Sequence, residues 1–190
     1  MGASAPLQGR HILLGITGSV AAYKGAALAS QLVQAGAAVT VLMTRCARRF
    51  ITPLTFESIT HRPVITDLFH RRTPPQPVHV SLADSADLLL IAPATATTIA
   101  RLAGGFADDI LSCTALSVSC PIVIAPAMDA AMYAHPAVQA NIRSLRRRGC
   151  VFVGPEVGRL ASGKVGKGRM AEAAAILAAV RAALSRRGPH

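Results

Sequence analysis

Five short apolar runs punctuate the chain, and none of them alternates with polar residues over its length. Residues 11–17 read HILLGIT, 38–44 AVTVLMT, 88–92 LLLIA, 121–125 PIVIA and 151–153 VFV. A strand with one wet face alternates apolar and polar side chains, whereas a strand covered on both faces does not. The runs therefore predict a parallel sheet with helices on each side. Helical stretches lie between them, including an Ala- and Leu-rich segment at 21–35 that stops at Gly36, a natural C-cap residue, and a last helix at 171–186. Strand–helix–strand repetition implies a doubly wound α/β fold. The chain has 190 residues, enough for one domain with a full core, which we expect over 10–187 after a disordered leader at 1–9. The segment TPPQP at 73–77 reads as a surface loop within that domain.

The charge pattern narrows the partners. The formal net charge is +11, which invites a nucleic-acid reading, but aromatics are 4% and Trp is absent. Many of the basic residues gather at 143–148 and 181–187, near helix ends where they complement the macrodipole. A phosphorylated small molecule is the expected partner, not a nucleic acid. No membrane contact is expected, because no apolar run reaches about 18 residues, and we expect a cytoplasmic location. Cys46, Cys113, Cys120 and Cys150 form no CxxC pair and sit beside apolar segments, so we expect buried free thiols and no metal.

In an open parallel sheet the ligand binds beyond the carboxyl ends of the strands. Gly18, Ser19 and Val20 follow the first run; Thr44 and Ala47 lie at the end of the second; Thr95, Ala96, Thr97 and Thr98 follow the third; Ala127 and Asp129 follow the fourth. Hydroxyls and glycines at helix starts suit an anion such as phosphate. The first turn reads GITGSV, which is not a dinucleotide fingerprint.

Five segments then occur in one order: GITGSVAAYK (15–24), MTRCARRFITPL (43–54), HVSLADSADLLLIAPATATTIA (79–100), PAMDAAMY (126–133) and GRLASGKVGKGRM (158–170). This order resembles that of the homo-oligomeric flavin-containing cysteine decarboxylases. Within them it is most similar to the branch acting on phosphopantothenoylcysteine in coenzyme A biosynthesis. The resemblance implies a flavodoxin-like (Rossmann-like), three-layer α/β/α fold and an FMN cofactor. It also implies a trimer, or a dodecamer of trimers, with active sites between subunits. Gly18, Ser19, Val20, Thr44, Ala47, Thr95, Ala96, Thr97, Thr98 and Ala127 would hold the flavin. Asp129, Met132, Ala161, Lys164 and Arg169 would hold a phosphorylated cysteine-amide substrate. His79 and Ser162 would be catalytic, under a flap at about 155–170 that Gly163, Gly166 and Gly168 make mobile.

Four positions depart from the family pattern. Thr97 stands for Asn, Tyr133 for Trp, Asp129 for the Asn that holds the substrate carboxylate, and Ser162 for the proton-donating Cys. A carboxylate beside a carboxylate needs a cation, for which Lys164, Lys167 or Arg169 are the candidates. Serine is a much weaker acid than cysteine. The alternatives are therefore a peptidyl-cysteine oxidative decarboxylase, which stops at the enethiol, or a non-catalytic FMN-binding subunit. A flavin prenyltransferase shares the fold but lacks the PAMDAAMY-type motif. Bifunctional members carry a ligase domain after this one, so a ligase is expected as a separate partner or as the remainder of a longer chain.

Overall fold

The computed structural model describes residues 7–69 and 77–185. Five parallel strands form the central sheet: β1 (His11–Ile16), β2 (Ala38–Met43), β3 (Leu88–Ala94), β4 (Ile122–Pro126) and β5 (Val151–Phe152). Their spatial order is β2-β1-β3-β4-β5. All five apolar runs are strands, each within two residues of its expected ends. The order reverses between β1 and β3, and this switch point opens a crevice at the sheet's carboxyl edge.

Both faces of the sheet are covered, as the unbroken apolar runs require. On one face Ile12, Leu14, Ile16, Leu88 and Leu90 pack against α1 (Ala22–Gln34), α2 (Pro53–Thr60) and α8 (Ala173–Ser185), through Leu28, Phe56 and Ile176 among others. On the other face Leu13, Leu89, Ile91 and Ile124 meet α3 (Val78–Ser85), α4 (Ala96–Gly104), α5 (Ile110–Ser117) and α7 (Pro136–Arg147). Alternate residues of one strand thus feed two separate cores. A short α6 (Ala130–Ala134) links β4 to α7. None of the described helices is long and apolar enough to cross a membrane.

Three expectations need revision. Leu7, placed in the loose leader at 1–9, is 2% exposed, and its N–H donates to Ala35 O at 2.9 Å. An apolar side chain with room beneath α1 anchors the chain earlier than its composition suggests. Residues 1–6 and most of the loop at 73–77 lie outside the described residues. The flap at 155–170 is not a glycine loop but an antiparallel ribbon, β6 (Glu156–Arg159) and β7 (Val165–Arg169). Its Gly166 and Gly168 serve close packing. Among the cysteines Cys120 alone is buried, while Cys46 is exposed at the crevice. Cys46 follows the end of β2, where the chain leaves the core.

Candidate functional site

The carboxyl edge of the sheet encloses a cavity of about 1200 Å³. Thr17, the residue after β1, organises its floor. Its side chain is fully buried; Oγ1 donates to Pro93 O at 2.7 Å and accepts the Thr95 N–H at 3.1 Å. One hydroxyl therefore binds the turn after β1 to the turn after β3. Gly18 follows, and a side chain there would lie 2.4 Å from Cys46 Cβ, so only glycine lets the first and second turns touch. Ser19 Oγ accepts the Ala21 N–H at 3.2 Å and opens α1.

Thr95 caps α4, accepting the Thr98 N–H at 3.3 Å, and its hydroxyl lies 3.1 Å from that of Thr98. Neither α1 nor α4 has an acidic residue in its first turn. Both positive helix ends thus face the cavity uncompensated, the arrangement that attracts an anion. Thr44 lines the cavity and accepts the Ala47 N–H at 3.3 Å. Ala47 itself is fully buried behind that turn and is not a lining residue.

The opposite wall is the hairpin. The Met128 N–H donates to Gly168 O at 3.0 Å, and a Cβ on Gly168 would lie 2.1 Å from Met128 O. A Cβ on Gly166 would lie 2.7 Å from Ala130 Cβ. These glycines press β7 onto the turn after β4; only Gly163, at φ +81°, supplies a conformation that favours glycine. At the base, Arg169 Nη2 pairs with Glu172 at 2.8 Å and with Glu156 at 3.3 Å, and Lys24 Nζ reaches Glu172 at 3.3 Å. Glu156 also accepts the Glu172 N–H, and that bond, with Arg169, holds its carboxyl below the usual carboxylate range. Arg169 lines the cavity, yet its charge is already balanced by two carboxylates. Its Nε is buried with no hydrogen-bond partner among the described residues.

Asp129 and Ser162 meet across the cavity mouth. Asp129 Oδ1 accepts the Ala131 N–H at 3.0 Å, and Oδ2 accepts the Ser162 hydroxyl at 2.9 Å. The Ala131 bond, then the Ser162 bond and the nearby Lys164 charge, hold the Asp129 carboxyl below its ordinary value, so it is ionised at neutral pH. Lys164 does not line the cavity; it sits in the hairpin turn, where its carbonyl accepts the Leu160 N–H at 2.8 Å. Lys167 Nζ lies 5.7 Å from the Tyr133 ring centroid, a cation–π contact.

The structure brings Gly18, Ser19, Val20, Thr44, Thr95, Ala96, Thr97, Thr98, Ala127, Asp129, Met132, Ala161, Ser162 and Arg169 around one cavity. His79 is not among them. It lies half-buried on the first turn of α3, whose Val78 and Leu82 anchor it to the second core. Sequence reasoning missed Thr17, because its burial reads as strand and not as site. It also missed Arg101, which leaves α4 to pair with Asp108 at 3.0 Å and Asp109 at 3.3 Å on the cavity wall. The Asp109-x-x-Ser112 capping pair was a legible signal for that corner.

Fold and cavity together define an open-sheet α/β protein with an anion-attracting site at its topological switch point and a hairpin closing one side. More narrowly, residues 2–185 match the family described as Flavoprotein, and the chain belongs to it. The chain is 49% identical over 166 residues to the coenzyme A biosynthesis bifunctional protein CoaBC of Bacillus subtilis (strain 168), covering 87% of this chain and 41% of the relative. It thus spans about two fifths of the curated relatives it matches. Among solved structures it is similar to the FMN-dependent cysteine decarboxylase SpaF, with TM-score 0.83 and 33% identity over 95% of this chain and 98% of that one. A PPC decarboxylase cysteine-to-serine mutant complexed with pantothenoylaminoethenethiol aligns with TM-score 0.83 and 30% identity, over 91% of this chain and 97% of that one.

Proposed function

We propose that this protein catalyses the FMN-dependent decarboxylation of phosphopantothenoylcysteine to phosphopantetheine in coenzyme A biosynthesis, in the cytoplasm. The observation that carries this reading is the meeting, in one cavity, of two uncompensated helix N-termini with a hairpin bearing Ser162 over Asp129. The relatives named CoaBC and the PPC decarboxylase structure support the substrate class.

The donor set fits FMN. Ser19, Thr95 and Thr97, with the N-termini of α1 and α4, offer hydroxyls and N–H groups to a phosphate and a polyol chain. Val20, Ala127 and Met170 supply apolar surface for a ring system in the same cavity. FMN held there would supply two-electron redox chemistry at the substrate CH2–S group, the electron sink that decarboxylation beside that carbon requires.

The chain itself has to bind, orient and protonate. Both oxygens of Asp129 are engaged within the protein, so the substrate carboxylate is left to a cation. Lys164 stands near Asp129, whereas Arg169 is neutralised by Glu156 and Glu172. His79 serves as acid–base residue in the cavity of a neighbouring copy, within a trimer or dodecamer. A ligase acting on the same pathway is its expected partner.

A second reading, the peptidyl-type oxidative decarboxylase, draws on one observation: the Ser162 hydroxyl already donates its hydrogen bond to the Asp129 carboxylate. An anion there makes that proton harder to release. One experiment separates the readings. The purified protein is checked for a flavin spectrum, given phosphopantothenoylcysteine, and the product is weighed by mass spectrometry. Loss of CO2 alone is the expected result. Loss of CO2 and two hydrogens establishes the oxidative reaction, and a yellow protein without product refutes the first reading and points to a non-catalytic flavin-binding subunit or a different thiol substrate.

A further inference from the structure

The hairpin turn at 160–164 closes on itself through Leu160 N–H to Lys164 O at 2.8 Å and Gly163 N–H to Leu160 O at 2.9 Å. Among the described residues, one side-chain hydrogen bond ties this turn to the body of the protein, and it runs from Ser162 to Asp129 across 33 positions of sequence. The other Asp129 oxygen is committed to Ala131 N–H, at the start of α6. The carboxylate is therefore oriented from below before it reaches the turn above.

The direction of that bond matters. A carboxylate can only accept, so the Ser162 proton points to Asp129 and the serine oxygen keeps its lone pairs free. Ser162 lines the cavity. From there it can accept a hydrogen bond but has no proton to offer while the pair is intact. The substrate class proposed above carries two donors close to its reacting carbon, an amide N–H and a thiol S–H.

We propose that Asp129 is the positioning residue for Ser162: it pins the hairpin tip over the cavity and turns the serine into an acceptor for a donor group of the substrate. The acceptor role rests on the function proposed above; the pinning does not. Substrate entry then requires only the tip to lift. The base of β7 stays on the turn after β4, held by Met128 N–H to Gly168 O and by contacts too tight for a side chain.

Hydrogen exchange on the flavin-loaded full chain, without substrate, reads the pinning. In Ser162→Ala and in Asp129→Ala the Leu160 and Gly163 amides should exchange about fivefold faster, the loss of one exposed hydrogen bond. The Met128 amide should keep its protection. Ser162→Ala leaves the α6 cap intact, so it decides the matter if Asp129→Ala folds poorly. Asp129→Asn, which retains a carbonyl to accept the serine proton, should stay within about twofold of the parent. Unchanged Leu160 and Gly163 exchange in Ser162→Ala overturns the proposal.

Steady-state kinetics reads the acceptor role. Ser162→Ala should raise KM with kcat retained, and Asp129→Ala should add nothing when combined with it. A fall in kcat at constant KM would make Ser162 the proton donor and sink this assignment. Faster tip exchange in a protein that never decarboxylates the substrate would refute the function proposed above and leave the pinning standing.

Discussion

The turns after β1 and β3 and the hairpin β6–β7 face each other across one cavity, but different physics holds them. The turns are joined by a buried, neutral hydroxyl, Thr17, with a backbone partner on each side. The hairpin is held at its base by partly exposed ion pairs and a close glycine contact, and at its tip by one carboxylate. A buried neutral bond is insensitive to pH and salt and expensive to leave unmade. Exposed charges are worth little individually and respond to both. One wall is thus a preformed cradle for a cofactor. The other can yield at its tip while its base remains in place, which suits a lid over a substrate that enters and leaves.

Four measurements sharpen or break this contrast. The largest effect is expected from Gly168→Ala. Its new Cβ would meet a backbone oxygen that cannot move aside, so β7 must shift. Turnover should fall about a hundredfold, the scale for misplacing groups by an ångström, with flavin binding largely kept. Equal loss of flavin would show that the two walls are one unit. Thr17→Val comes next. It preserves shape but strips partners from a buried C=O and a part-buried N–H, so urea unfolding should show about 2–3 kcal/mol of lost stability. Flavin affinity should weaken with it. A neutral outcome would mean that the turns do not depend on this hydroxyl.

The third measurement is a pH series on lid exchange. The Asp129 and Glu156 carboxyls titrate below their ordinary values in the folded protein. Depressed pKa values mean that their contribution is fully present above the unfolded-state values of about 4 and is lost as pH falls through the folded ones. Tip and base should hold from neutrality down to mild acid and loosen below that, while the Thr95 amide, held by Thr17, shows no such step. A common transition for both walls would contradict the contrast. The smallest effect belongs to Glu172→Gln. Its carboxylate is exposed and shared by Lys24 and Arg169, so stability should change by less than about 1 kcal/mol. Increased salt should reproduce the change. A loss of several kcal/mol would make the base a structural element on a par with Thr17.

A mixing experiment bears on the residue that belongs to neither wall. His79→Asn and Gly168→Ala preparations, dissociated and reassembled together, should recover activity that each lacks alone. Recovery is expected because hybrid oligomers would pair an intact cavity with an intact histidine. No recovery would count against His79 acting in the cavity of a neighbouring copy.

The amino-acid sequence by itself determined the sheet, the helices that cover it and the turns that bear the site. Apolar runs such as 88–92 can be satisfied only by burial on both faces, and hydroxyls after them can cap only the helices that follow. These are local constraints, so they are legible in order along the chain. The tertiary structure decided what depends on strand order and on approach between distant segments. Placing β1 beside β3 let Thr17 reach Pro93, and seating β7 on the turn after β4 turned flexible-looking glycines into packing contacts. The same approach set Ser162 on Asp129, neutralised Arg169 with Glu156 and Glu172, and left His79 on a different face. A hydrogen bond or an ion pair between residues far apart leaves no periodic trace in either segment. Which groups face each other, and whether a charge is free or already matched, therefore emerges only when the chain is folded.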